Sequence, residues 1–260
     1  MDQEIYLDRN TIFHRLDPRT KIIILLTAFV VVLYFEHPLW ILPITLLVLL
    51  HGAVSKSLVN LRRIRIILII LSISSLILWT LFANGVTPFF WYIEWEALLF
   101  AINRILVFAS LVTEGMIFLS TTRTEEFVLG MIRLGLPYRV GFAISTVLCM
   151  VPTIFASFSI IAQAQRSRGL DLDSGGIAER IRKYVPLLVP VFVSTIRGTN
   201  VFGMALESKG FGARPKRTFY LNPQFGTADF LIIAFLVLGL ALATYLKIQG
   251  YGTIPGLERF

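Results

Sequence analysis

The 260-residue chain has one cysteine, Cys149, and three histidines, His14, His37 and His51. A single thiol excludes an internal disulfide framework, and the histidines lie in separate segments without the spacing of metal ligands. Charge is scarce too. Only 15% of the residues are Asp, Glu, Lys or Arg, against about 25% in soluble domains. There is no Gly-x-x-x-x-Gly-Lys-(Ser/Thr) loop to cradle phosphates, so the chain is not expected to hydrolyse ATP itself. Gly210-Phe211-Gly212 runs on into Ala213-Arg214-Pro215 and makes no dinucleotide fingerprint. No Ser/His/Asp set and no carboxylate pair stands out in the apolar runs, so neither catalytic residues nor a cofactor are expected. The first 19 residues are mixed and charged and lack the apolar centre of a secretory signal.

Apolar surface is abundant. The chain is 56% hydrophobic with a mean hydropathy of +0.76, more than soluble packing can hide and what a bilayer accepts directly. The expected fold class is therefore all-α, a polytopic membrane protein with about five transmembrane helices. Cys149, inside an apolar run, reads as a small buried hydrophobe.

Asp17-Pro18 is a helix start, with an N-capping aspartate followed by proline at the first helical position. Ile22 to Phe35 is almost wholly apolar, Glu36-His37-Pro38 interrupts, and Leu39 to Leu50 is apolar again. One long broken helix or two helices joined by a tight turn both fit; the proline and its polar neighbours favour two helices. Ile66 to Phe82 is a third span, Ala97 to Leu119 a fourth and Phe230 to Leu246 a fifth. Between the third and fourth lie Trp91, Tyr92 and Trp95, an interfacial belt by composition. Asn103, Arg104 and Glu114 in the fourth are costly to face lipid and should turn inward or snorkel. Glu114 reads as a packing carboxylate more readily than as a proton relay, and Arg104 as a structural partner more readily than as part of an ion path.

Charge sets the orientation. Arg9, Arg15, Arg19 and Lys21 precede the first span, and Lys56, Arg62, Arg63 and Arg65 separate the second from the third. The Glu36 turn and the Trp91 loop carry no lysine or arginine. The N-terminus is thus expected in the cytoplasm, both cation-free loops outside, and the C-terminus outside after the last span. Residues 120–224 hold more than half of the chain's 24 lysines and arginines and belong on the cytoplasmic side. Two apolar stretches lie within them, Val140 to Ala162 and Tyr184 to Ala205. Crossing as a hairpin, they would carry the basic segment Arg166 to Lys183 outside, against the charge rule.

Each stretch ends in the same pattern, Ala-x-x-Ser-(Arg/Lys)-Gly: Ala164-Gln165-Arg166-Ser167-Arg168-Gly169 and Ala205-Leu206-Glu207-Ser208-Lys209-Gly210. Glycine suits the left-handed position after a helix, and a cation there complements the negative end of the helix dipole. Two readings stand side by side. These are ordinary helix ends, or they are projecting tips whose small neighbours let the cation enter an acidic pocket on a partner.

The sequence resembles the T component of energy-coupling factor transporters, the scaffold subunit of importers in the ATP-binding cassette superfamily. That family carries two short arginine-centred motifs, commonly Ala-Arg-Gly, each ending a long cytoplasmic coupling helix. They correspond here to Ser167-Arg168-Gly169 and Ser208-Lys209-Gly210. His14-Arg15-Leu16-Asp17-Pro18-Arg19-Thr20-Lys21, Thr121-Thr122-Arg123, Gln163-Ala164-Gln165-Arg166 and Arg217-Thr218 are similar as well, so the resemblance covers nearly the whole chain. Lys209 departs from the usual arginine and forgoes two-pronged pairing; Ser167 and Ser208 replace alanine, small for small.

The resemblance implies that residues 1–119 form a four-helix transmembrane region, 120–224 a cytoplasmic domain of coupling helices, and 225–260 a last span and tail. It also implies two ABC ATPase subunits and a substrate-binding membrane subunit as partners, besides the lipid bilayer, for vitamin or metal-ion uptake. The net charge of +8 follows from membrane orientation and needs no nucleic acid. The alternative is a self-contained secondary transporter or channel, which would want polar, broken helices meeting at mid-membrane; only Asn103, Arg104 and Glu114 hint at that.

The charge pattern makes a direct prediction. In intact cells, an impermeant thiol reagent should modify a cysteine placed at Asn84 or Thr87 and spare one at Ser57. The reverse labelling pattern would invert the topology.

Overall fold

The computed structural model describes residues 6–7, 9, 11–82, 88–90, 93–171, 174, 176–213 and 225–254. Packing divides the chain into two compact units, Met1–Leu136 with Pro223–Phe260, and Pro137–Asn222.

In the first unit, helix α1 (Pro18–Val32) opens as the sequence indicates. Asp17 has extended backbone angles and accepts the Arg19 N–H at 2.9 Å, with Pro18 at the first position. The chain then turns, and α2 (Pro38–Val54) begins behind His37, whose ring nitrogen Nδ1 accepts the Leu39 N–H at 3.3 Å. Two helices joined by a turn are therefore present. At 15 and 17 residues they extend only about 22 and 25 Å, short of the ~30 Å apolar core of a bilayer. Between α2 and α3 (Leu61–Phe82) the chain makes a compact corner at Ser55 to Asn60, with Lys56 in the left-handed region at φ 55°. A side chain at Gly52 would lie 2.6 Å from Leu58 Cδ2, so Leu58 packs directly onto the glycine and would have to shift to admit one.

A short antiparallel ribbon, β1 (Pro88–Phe90) with β2 (Ile93–Glu94), leads into α4 (Trp95–Thr121). Trp91 and Tyr92 of the expected aromatic belt lie outside the described residues, as do Asn84 and Thr87. Helix α4 is the hub of the unit and packs against α1, α2 and α3; Val32, Ile41 and Val107 form the centre of that core. Helix α5 (Thr124–Arg133) lies across α1, so close that a side chain on Gly130 would press on Pro18 and Ile22. Helix α8 (Thr227–Ile248) packs beside α1.

Long-range hydrogen bonds fix the direction of each helix. The Asp17 N–H donates to Asp229 Oδ1 at 3.0 Å, where α1 and α8 both begin. At their far ends the Glu36 and His37 N–H groups both donate to the Gly252 carbonyl, at 2.8 and 3.0 Å. Helices α1 and α8 therefore run parallel. Asn103 Nδ2 donates to the Phe35 carbonyl at 3.0 Å, and Lys21 Nζ to the Thr121 carbonyl at 2.8 Å, so α4 runs the other way. The Glu36 turn and the end of α8 thus share one face of the unit. The start of α1, the Ser55 corner and the end of α4 share the other, where Asn60 Nδ2 also donates to Ser120 Oγ at 2.8 Å.

Among the described residues, five helical segments are long and apolar enough to cross a membrane: α3 with its leading turn, α4, α8, and the two long helices of the second unit, α6 (Tyr138–Ser167) and α7 (Ile177–Ser208). The chain is an all-α polytopic membrane protein. Three of these segments coincide with expected spans. The other two are the apolar stretches of the basic region, which the charge rule predicts to stay inside. Cys149, expected buried, is exposed on α6. Ser57 is only 1% exposed, so a cysteine there would escape reagent from either side; Val59, 56% exposed in the same corner, is the informative position.

The Lys21 side chain is 4% exposed and donates to the His14 carbonyl at 3.1 Å, the Thr121 carbonyl at 2.8 Å and Glu126 Oε2 at 3.1 Å. Lys21→Met keeps the stem and removes the charge, leaving those acceptors without their donor. Breaking a buried pair from one side costs about 3–5 kcal/mol. The variant should unfold at a clearly lower temperature in detergent, while Lys247→Met, on the exposed end of α8, shifts little. Equal midpoints for Lys21→Met and the native chain would show that the ammonium is dispensable.

Candidate functional site

The second unit consists of α6, α7 and their connection. Part of that connection, expected as a turn at Asp171 to Ile177, lies outside the described residues; Lys183 Nζ braces the rest by donating to the Ser174 carbonyl at 3.0 Å and to its hydroxyl at 2.8 Å. Little of either helix is buried, apart from Gly141 and Leu187.

The two sequence motifs end their helices in the same way. At the end of α6, Arg168 has φ −88° and ψ 8°, and Gly169 swings to φ +90°. At the end of α7, Lys209 has φ −86° and ψ 7°, and Gly210 has φ +73°. The Leu170 N–H then reaches back to the Gln165 carbonyl at 3.0 Å, and the Gly169 N–H to Arg166 at 3.0 Å. In the second motif the Phe211 N–H reaches Leu206 and the Gly210 N–H reaches Glu207, both at 2.9 Å. This pair of bonds is the Schellman closure, and it needs the left-handed residue that only glycine adopts without strain.

The serines turn inward. Ser167 Oγ donates to the Gln163 carbonyl at 3.2 Å and Ser208 Oγ to the Ala205 carbonyl at 2.9 Å. Each hydroxyl is spent on its own helix, so within each Ser-(Arg/Lys)-Gly the cation is the side chain left projecting. Arg168 and Lys209 are exposed, and neither side chain has a partner among the described residues. Phe211, just past the second motif, packs on Phe142 with ring centres 4.4 Å apart, close to Tyr138 at the start of α6. The end of α7 thus returns to the beginning of α6. Because α6 has 30 residues, the two cations stand on the order of 40 Å apart. Two tips at opposite ends of one helix pair can engage two separate acidic pockets, and cannot share one.

Glu114 and Arg104, the two charges within α4 that the sequence singles out, both have partners. Glu114, 3% exposed, has its carboxylate oxygens 3.1 and 3.2 Å from His51 Nδ1, joining α4 to α2. The Arg104 guanidinium lies over Phe100, 4.5 Å from the ring centre, and near Trp79 at 5.8 Å. Sequence reasoning did not find the cluster at the start of α1, where Arg133 lies 3.6 Å from Asp17 and Lys21 meets Glu126. The signal was Asp17 and Lys21 themselves, four residues apart on one face of a helix that buries them.

Residues 9–220 match the CbiQ family, described as cobalt transport protein. The chain is 29% identical to the energy-coupling factor transporter transmembrane protein EcfT of Lactococcus lactis subsp. cremoris (strain MG1363), over 94% of this chain and 97% of that one. It is 30% identical to the protein of the same name from Streptococcus thermophilus (strain ATCC BAA-250 / LMG 18311), over 93% and 97%. With the Staphylococcus aureus (strain 04-02981) protein it shares 26% identity over 94% and 96%. With the family matched over most of its length and the relatives aligned nearly end to end, the chain belongs to the CbiQ/EcfT family, the transmembrane T components of energy-coupling factor transporters.

Proposed function

We propose that this chain couples two ATPase subunits to a separate substrate-binding membrane subunit, and that Arg168 and Lys209 are the points where nucleotide-driven movement enters. The observation that carries the reading is the pair of matching helix closures at opposite ends of the α6–α7 pair, each presenting one exposed cation without a partner among the described residues. Ser167, Gly169, Ser208 and Gly210 belong to these tips as geometry: the glycines close the caps and the serines keep their hydroxyls on the helix. The cargo, a vitamin or a metal ion, is held by the partner subunit. The relatives' names, energy-coupling factor transporter and cobalt transport, agree with a role in transport.

In this reading residues 120–224 face the cytoplasm and α6 and α7 lie along the membrane without crossing. The N-terminus is cytoplasmic and the C-terminus external. The shared face of the Glu36 turn and the end of α8 supports the last point, because the charge rule places that turn outside. Protease added from the cytoplasmic side should cut between residues 171 and 177; cleavage only from the external side would mean that the helices cross.

Replacing Arg168 and Lys209 together by alanine should leave a folded, inserted protein, since both side chains are exposed. Retention of ATPases on the tagged chain and uptake by reconstituted vesicles should fall, because stranding a buried partner charge costs about 2–5 kcal/mol per contact. Arg168→Ala should weaken retention more than Lys209→Ala, as the guanidinium pairs through two hydrogen bonds and the ammonium acts as a point charge. Lys209→Arg should be tolerated. Full retention and full uptake by the double variant would reduce both residues to ordinary helix-end charges.

The caps can be tested separately from the cations. Gly169→Ala and Gly210→Ala place a side chain in the left-handed region, at about 1–2 kcal/mol each. Amide exchange at Leu170 and Phe211, whose N–H groups close the caps, should accelerate in the respective variants. Unchanged protection would show that the closures do not depend on glycine.

A further inference from the structure

Helix α3, like α8, leaves most of its length uncovered, and it begins in a cluster of cations. It packs on α4 and on the corner before it, and among its residues only Ser75 is buried. Its outer side carries Ile66, Ile69 and Ile73, each more than half exposed. Arg62 and Arg65 fall on the same stripe at helical spacing and are exposed as well. Neither arginine has a partner among the described residues, and the sequence has no acidic residue between Glu36 and Glu94 that could supply one locally. Lys56, in the corner leading into α3, adds a further positive charge, and its carbonyl accepts Arg9 Nη1 at 2.9 Å.

The apolar part of the stripe offers nothing to a polar partner. The hydroxyls of Ser72, Ser74 and Thr80 all donate to carbonyls of their own helix, at Leu68, Leu71 and Leu76. From Arg65 to Phe82 the helix runs about 25 Å, longer than the ~15 Å that the chains of one leaflet occupy. Two unpaired guanidinium groups at the foot of such a stripe match an amphiphile with an anionic head and two hydrocarbon tails.

We propose that the foot of α3 is an anionic-phospholipid site, in which Arg62 and Arg65 hold the headgroup phosphate and the Ile66, Ile69 and Ile73 stripe takes the acyl chains. The site is distinct from the proposed coupling tips and does not depend on them. A basic side chain at an anionic lipid surface strengthens association about fivefold, so the pair accounts for roughly twentyfold in affinity.

The purified full-length chain in neutral detergent is titrated with fluorescently labelled phosphatidylglycerol and, separately, phosphatidylcholine. The native chain should prefer phosphatidylglycerol about twentyfold, and high salt should reduce the preference. Arg62→Gln with Arg65→Gln should weaken phosphatidylglycerol binding about twentyfold and bring the two lipids level. The double lysine variant should keep most of the preference, and Arg180→Gln with Arg182→Gln, on α7, should keep all of it. Inorganic phosphate should not displace the lipid, because the acyl chains supply part of the binding; displacement would mean a phosphate site and not a lipid site. Equal binding of both lipids by the native chain, or an undiminished preference in the double glutamine variant, overturns the proposal. If the double variant does not fold, Arg65→Gln alone should lose about fivefold, and an unchanged value there overturns it equally.

Discussion

The Lys21 ammonium reaches the lead-in at the His14 carbonyl, the end of α4 at the Thr121 carbonyl and the face of α5 at Glu126. Three separate segments thus meet at one side chain. A buried ammonium must find acceptors for its protons or lose its charge, and here they come from three separate parts of the chain. Asp17, one turn earlier, extends the junction to α5 through Arg133 and to α8 through Asp229. Lys21 and Asp17 therefore do more than orient the first helix by their charge. They make a patch of polar residues the place where four helices are registered against each other.

Registration at one end leaves the other end to packing and main-chain bonds. There the Gly252 carbonyl takes two N–H groups from the Glu36 turn, and Gly252 itself must be glycine, since its φ is +83° and a side chain would overlap Phe35. Trp40 stacks between Phe35 and Tyr251, with ring centres 5.9 and 5.7 Å away. Helix α8 is thus fixed at both ends by contacts far apart in sequence. Its apolar length can then face outward without a broad protein surface to hold it.

Much of this was legible in the residues. Asp17-Pro18 gave the start of α1, Glu36-His37-Pro38 gave its end, and the paired Ala-x-x-Ser-(Arg/Lys)-Gly segments gave both helix closures, because capping is local chemistry that a short window contains. Helix α5 was not read from the sequence. Its ten residues carry two glutamates and an arginine, and its burial depends on Gly130 meeting Pro18 and Ile22, a contact no window includes. Ser57 failed for a similar reason: a polar residue in a charged corner looked accessible, yet its hydroxyl lies 2.7 Å from that of Ser55 and is closed in. Hydropathy was ambiguous at α6 and α7 because an apolar helix has the same composition whether lipid or a protein partner covers it. Pairings such as His51 with Glu114 span 63 residues and are set by the fold.

Helices α6 and α7 carry large exposed side chains such as Phe155, Ile160, Val189 and Phe192 along their length and bury almost none of their own. A helix pair with so little interior is not a self-sufficient folding unit. Its order is borrowed from whatever covers it, so its stability follows the supply of that cover by mass action. Where partner subunits supply that cover, chain made in excess of them would keep its apolar arms bare, open to proteases and to one another. The quantity of finished transporter would then be set by the scarcest subunit, and the surplus would be removed without any dedicated signal.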